Sequence, residues 1–129
     1  TPEEMPVSET IDLVKSLKTR VDVPLGNIIV NRVLPEPFNR ADADIFSNLE
    51  TTNSLAAIEK TAGLGGKKVL AAASLAVSLR RSQSKHIAYL RQSVDLPLVY
   101  LPYLFIRDHG LRVTRVVSEA LGYEMGTGG

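Results

Sequence analysis

The sequence predicts an α/β fold built on a parallel sheet, and two apolar runs with helical sequence between them carry that prediction. Asn27-Ile28-Ile29-Val30-Asn31-Arg32-Val33-Leu34 is apolar and β-branched up to Asn31, and Pro35 and Pro37 follow at once. Such a run reads as a buried strand whose far end turns polar. Pro97-Leu98-Val99-Tyr100-Leu101-Pro102 is a second run of the same kind. Two buried strands separated by helix cannot form a hairpin, so they pair in parallel and open their carboxyl ends on one edge. Ligands of open α/β sheets bind at that edge, which brings Asn31 beside the segment after Pro102 and nominates a site.

The elements follow in order. Val7, Ile11, Val14, Leu17 and Val21 recur at helical spacing, predicting an amphipathic helix that ends before Pro24-Leu25-Gly26. Thr1-Pro2-Glu3-Glu4 resembles a capping box, yet Pro6 disfavours a helix begun there, so a loop up to Pro6 is the expectation. Helix, short turn and strand make half of a βαβ unit, and the reading expects an earlier strand upstream of Thr1.

After Pro37, Asn39 or Asp42 caps a helix carrying Ile45, Phe46 and Leu49; Thr51-Thr52-Asn53-Ser54 interrupts it, and Leu55 and Ile58 resume the face. Gly63-Leu64-Gly65-Gly66 reads as a flexible break between helices. A longer helix runs from about Lys67 to Gln92, its first half apolar nearly all round and so expected to be buried on two sides. Beyond the second strand, Asp108 caps a last helix with apolar positions Leu111, Val113, Val116, Val117, Ala120 and Leu121, stopped by Gly122.

With 129 residues, 44% hydrophobic and 22% charged, the chain has the length and composition of one soluble domain. Fifteen Lys and Arg against 14 Asp and Glu leave a net charge of +1, too little for a global field that would gather nucleic acid. Without Cys there is no disulfide, thiolate nucleophile or Cys-bound zinc, and a cytoplasmic location is the expectation. Val69 to Leu79 is far shorter than the roughly 20 residues that span a bilayer.

Gly63-Leu64-Gly65-Gly66-Lys67-Lys68 imitates a phosphate loop, but a helix precedes it and Lys68 stands where Ser or Thr would hold magnesium, so it reads as an interhelical linker. The cations from Lys67 to Arg91 read as a solvated helix face, since no aromatic residues interleave to stack bases. His86 and His109 are isolated and lack ligand spacing. Ser8, Ser74, Ser78 and Ser118 sit in helical sequence without a nucleophile elbow. No catalytic residue and no metal ligand is nominated. Asn31 is open to two readings: an amide at the end of a buried strand offers a donor and an acceptor that suit the edge of a purine, or it caps the turn before Pro35. Pro102-Tyr103-Leu104-Phe105 either walls an aromatic ring or packs the start of a loop.

Three segments, Pro2-Glu3-Glu4-Met5-Pro6-Val7-Ser8-Glu9-Thr10, Ile28-Ile29-Val30-Asn31-Arg32, and Leu101-Pro102-Tyr103-Leu104 running to Gly110-Leu111, resemble in order and separation the carboxyl-terminal part of the ArsA-type ATPases. That family includes the arsenical-pump ATPase and the ATPase that targets tail-anchored membrane proteins, and the likeness is closest to actinobacterial ArsA-like proteins. The resemblance implies a partial P-loop NTPase-like sheet with a helical insertion over about 39–93, and a nucleotide-binding set of Glu3, Asn31, Pro102, Tyr103 and Leu104. It also implies ATP and Mg2+ as cofactors of a longer parent, neither held tightly by this chain alone. As partners it implies ATP or ADP, a homodimer or heterodimer with a related ATPase subunit, and a membrane-protein client or transporter, but no nucleic acid. The phosphate loop, switch aspartates and catalytic carboxylate of the family lie upstream of Thr1 in that comparison, and its zinc-binding Cys pair is missing. Hydrolysis by this chain alone is therefore not expected. The alternative function is a noncatalytic helical interaction module, in which the region from Asn39 to Gln92 packs on a partner and Asn31 is only structural.

Overall fold

A computed structural model describes residues 1–21, 23–51, 54–105 and 110–126, with side chains omitted at 50–51, 54–59, 62 and 64. The element order is α1 (Glu4–Arg20), β1 (Ile28–Val33), α2 (Arg40–Thr51), α3 (Ser54–Ser93), β2 (Leu98–Pro102) and α4 (Leu111–Glu124). The chain divides into two compact units. Residues 1–35 with 82–129 form the first and residues 36–81 the second.

In the first unit β1 and β2 pair in parallel as a two-stranded sheet. One face of α1 supplies Val7, Ile11 and Val14, which cluster with Val30 of β1 and with Ile87, Leu90 and Val94 at the carboxyl end of α3. Leu25, Ile28, Val33, Leu96, Leu98 and Tyr100 pack at the margin of that cluster. Alternation along β2 sends Val99 and Leu101 to the opposite face, where both are buried and where α4 lies against β2. Tyr100 donates its backbone N–H to Glu124 Oε2 of α4 at 3.1 Å, so a carboxylate meets a strand group that would otherwise seek another strand.

Several expectations change. The α1 helix begins at Glu4 and not after Pro6, because Pro6 occupies the first turn, where its missing N–H has no intrahelical partner to lose. The first helical bond is Val7 N–H to Glu3 O, at 3.1 Å. β1 is covered on one face only: Val30 is buried, whereas Ile29 on the other face is 54% exposed, since α4 packs on β2. Gly122 lies inside α4, which continues to Glu124; Gly126, with φ of 70°, marks the end instead. Gly110 is the N-cap of α4, and Asp108 lies outside the described residues.

In the second unit, Asn39 caps α2: its Oδ1 accepts the Asp42 N–H at 2.9 Å and its Nδ2 donates to Asp42 Oδ2 at 2.6 Å. Phe46 is buried with its ring 4.9 Å from that of Phe38, and Arg80 forms an ion pair with Glu36 at 2.7 Å. Of the predicted interruption after α2, Thr52 and Asn53 lie outside the described residues, as do the side chains of Leu55 and Ile58. The break expected at Gly63-Leu64-Gly65-Gly66 falls at Gly63 (φ 61°, ψ −159°), where two helical segments meet across a kink within α3, and it is confined to that one residue. The first half of the predicted long helix is not buried on two sides. Val69 is 71% exposed and Leu75 59%, because apolar sequence alone does not guarantee a covering partner. Among the described residues no helix is long and apolar enough to cross a membrane.

Candidate functional site

The end of β1 is irregular. Val30 pairs with Tyr100 and Val33 with Pro102, so Asn31 and Arg32 together face Leu101 alone. Two residues opposite one is a β-bulge, a device that re-aims side chains at a sheet margin. It is achieved by Arg32, which among the described residues is the non-glycine one with positive φ, at 62°. Left-handed backbone costs a branched-chain-free residue such as Arg about 1 kcal/mol or more, so the surroundings must hold it.

Asn31, Gln83 and Tyr103 do so. Asn31 Oδ1 accepts the Arg32 N–H at 2.8 Å. Gln83 reaches from α3, accepting the Leu34 N–H on Oε1 at 2.9 Å and donating from Nε2 to Arg32 O at 3.2 Å. The Arg32 guanidinium lies over the Tyr103 ring, 5.1 Å from its centroid, and Tyr103 packs on Phe105 at 4.7 Å. Tyr103 in turn donates its N–H to Val33 O at 2.8 Å, extending the ladder past Pro102.

These residues border a cleft of about 270 Å³ at the carboxyl edge of the sheet, lined by Asn31, Arg32, Leu101, Pro102, Tyr103, Leu104, Val117 and Ala120. Asn31, Pro102, Tyr103 and Leu104, nominated from sequence, thus meet on one surface. Glu3 does not line it; it is exposed as the N-cap of α1 and makes no side-chain capping bond. Arg32, Leu101, Val117 and Ala120 complete the wall, and Gln83 stands behind it. The i, i+3 spacing of Val117 and Ala120, which puts both on one face of a helix after the second strand, was the available signal for that side; nothing local marks Gln83.

The two readings of Asn31 fall on different atoms. Its Oδ1 serves the turn, and the backbone donor it accepts fixes which end of the amide is oxygen. Nδ2 is the donor end of that amide, and Asn31 is among the residues that line the cleft. A lone donor pairs with a ring nitrogen or a carbonyl oxygen, so Asn31 suits a purine edge without choosing adenine over guanine. Among the described residues no three His, Asp or Glu side chains converge as a metal-holding group.

Comparison with protein-family models, with curated proteins and with solved structures gives no match.

Proposed function

We propose that the cleft holds the base of an adenine nucleotide, and that the chain is the carboxyl-terminal part of an ArsA-like ATPase. Such a parent couples ATP binding and hydrolysis to opening and closing of a dimer and so to handling of an ion or a client protein. The observation that carries this reading is convergence: Asn31 and Pro102-Tyr103-Leu104, far apart in sequence and implicated together by the resemblance, border one cleft. Its position supports the reading too, since the carboxyl edge of a parallel sheet is where such folds bind ligands. A volume of about 270 Å³ is small beside the ~300 to 1,000 Å³ of drug-sized pockets, which suits a base and leaves ribose and phosphates to project outward.

In this role Asn31 Nδ2 donates to the base edge, Tyr103 and Leu104 supply flat apolar wall, and Arg32 holds Tyr103 in place. Glu3 contributes to the nucleotide site in the parent by resemblance alone. ATP and Mg2+ supply phosphoryl chemistry only in the parent; this sequence has no phosphate loop, and residues 65–68 lie within α3.

One observation favours the second reading, a helical interaction module: Val69, Leu75 and Leu79 of α3 are 71%, 59% and 48% exposed in the second unit. Calorimetric titration with ATP separates the two. Tyr103→Ala is expected to weaken binding by about 1 kcal/mol or more through lost ring contact, while Arg81→Ala leaves it unchanged. Equal ATP affinity in wild type and Tyr103→Ala, with the fold intact by circular dichroism, returns the advantage to the interaction module.

A further inference from the structure

We propose that Gln83 is the positioning residue of the cleft: it holds the left-handed Arg32 and thereby sets where Asn31 and Tyr103 stand. The inference rests on the base-site reading for its ligand, but its structural half does not. Gln83 is half-buried on α3, and its two bonds reach residues 49 and 51 positions away, on either side of Val33. The Oε1 takes the Leu34 N–H and the Nε2 gives to Arg32 O, so one amide holds the two backbone groups that flank Val33, the residue at which pairing with β2 resumes after the bulge. Groups that flank a paired residue face away from its partner strand, so Arg32 O and the Leu34 N–H lie on the open edge of β1 and need a partner other than β2. An amide is the side chain that meets this need, because it carries a donor and an acceptor at one end.

The consequences run to both walls of the cleft. Between the two clamped groups sits Val33, whose carbonyl receives the Tyr103 N–H at 2.8 Å. On the other side sits Arg32, whose guanidinium covers the Tyr103 ring at 5.1 Å and whose N–H is held by Asn31 Oδ1. Fixing Arg32 and Leu34 therefore fixes Asn31 through Arg32 and Tyr103 through Val33. Releasing Gln83 frees Arg32 to relax toward negative φ, which turns its N–H away from Asn31 and its side chain away from Tyr103.

The test uses the full chain labelled for nuclear magnetic resonance, without ligand and then with ADP. In wild type the Leu34 amide is expected to be protected from exchange and Arg32 to show the strong intraresidue HN–Hα cross-peak of positive φ. Gln83→Leu is expected to speed Leu34 exchange about five- to tenfold, the loss of one hydrogen bond, and to abolish the Arg32 signature. Gln83→Glu keeps the acceptor and loses the donor, so Leu34 stays protected while the Arg32 signature still fades. ADP affinity should fall about three- to tenfold in both variants, and stay at the wild-type value in Gln92→Leu one helical stretch away. An unchanged Arg32 cross-peak, or unchanged ADP affinity despite a lost cross-peak, overturns the proposal. If wild type itself does not bind ADP, the base-site reading fails, and the exchange and cross-peak data still decide whether Gln83 sets the bulge.

Discussion

The Asn31 amide holds the Arg32 N–H and, in the proposed site, also meets the base, and the atoms assigned to the two roles can be separated. Replacement by Asp keeps an oxygen for the Arg32 N–H, now 2.8 Å from Oδ1, and removes the donor that Nδ2 offers the cleft. Asn31→Asp is expected to leave the free energy of urea unfolding within about 0.5 kcal/mol of wild type yet weaken ATP binding by about 1 to 3 kcal/mol, because a purine acceptor then faces a carboxylate. Titration calorimetry beside urea unfolding reads both numbers; equal losses in stability and affinity would mean that Asn31 matters to the turn alone. The Asn-Arg pair was legible as the polar end of an apolar run. Its bulge was not, because Arg carries none of the preference for positive φ that Gly or Asn would have signalled. Gln83 was equally invisible, since it acts across 49 and 51 positions of sequence.

At the scale of the element, helical spacing told most of what α1 does. Val7, Ile11 and Val14 are buried, as the spacing requires, although the stripe fades at its end, where Val21 is 44% exposed. Ile11, 2% exposed at the centre of the cluster, should cost about 2 to 4 kcal/mol when cut to Ala, since the cavity left there is closed in by α3 and β1. Leu13→Ala, at a position 57% exposed on the same helix, should cost less than about 0.5 kcal/mol. Urea unfolding of the two variants checks the contrast, and similar costs would refute the placement of α1. The apolar first half of the long helix was harder to read: alanine, leucine and valine at every angle state that water is unwelcome, but not what excludes it. The strands were the most legible elements, because β-branched runs bounded by Pro have few other uses. Their pairing followed from the helical sequence between them.

For the whole molecule, the sheet has two strands and much of its margin is apolar. Ile29 is 54% exposed, Phe105 73%, Leu111 91% and Tyr123 80%. Isolated large apolar side chains are ordinary on a surface, but so many on one short chain favour association. Light scattering over a wide concentration range is expected to show mass rising above that of the 14.0 kDa monomer; a constant monomer mass would contradict this. The proposed function rests on the cleft at the carboxyl edge of the parallel pair. The most direct test is a titration of the labelled chain with ADP, followed by amide chemical shifts. Saturable changes confined to Asn31, Arg32, Leu101, Tyr103, Leu104, Val117 and Ala120 are the predicted result. No saturable change, or changes gathered instead on the basic stretch from Lys67 to Arg91, would contradict the assignment of the cleft as a nucleotide-base site.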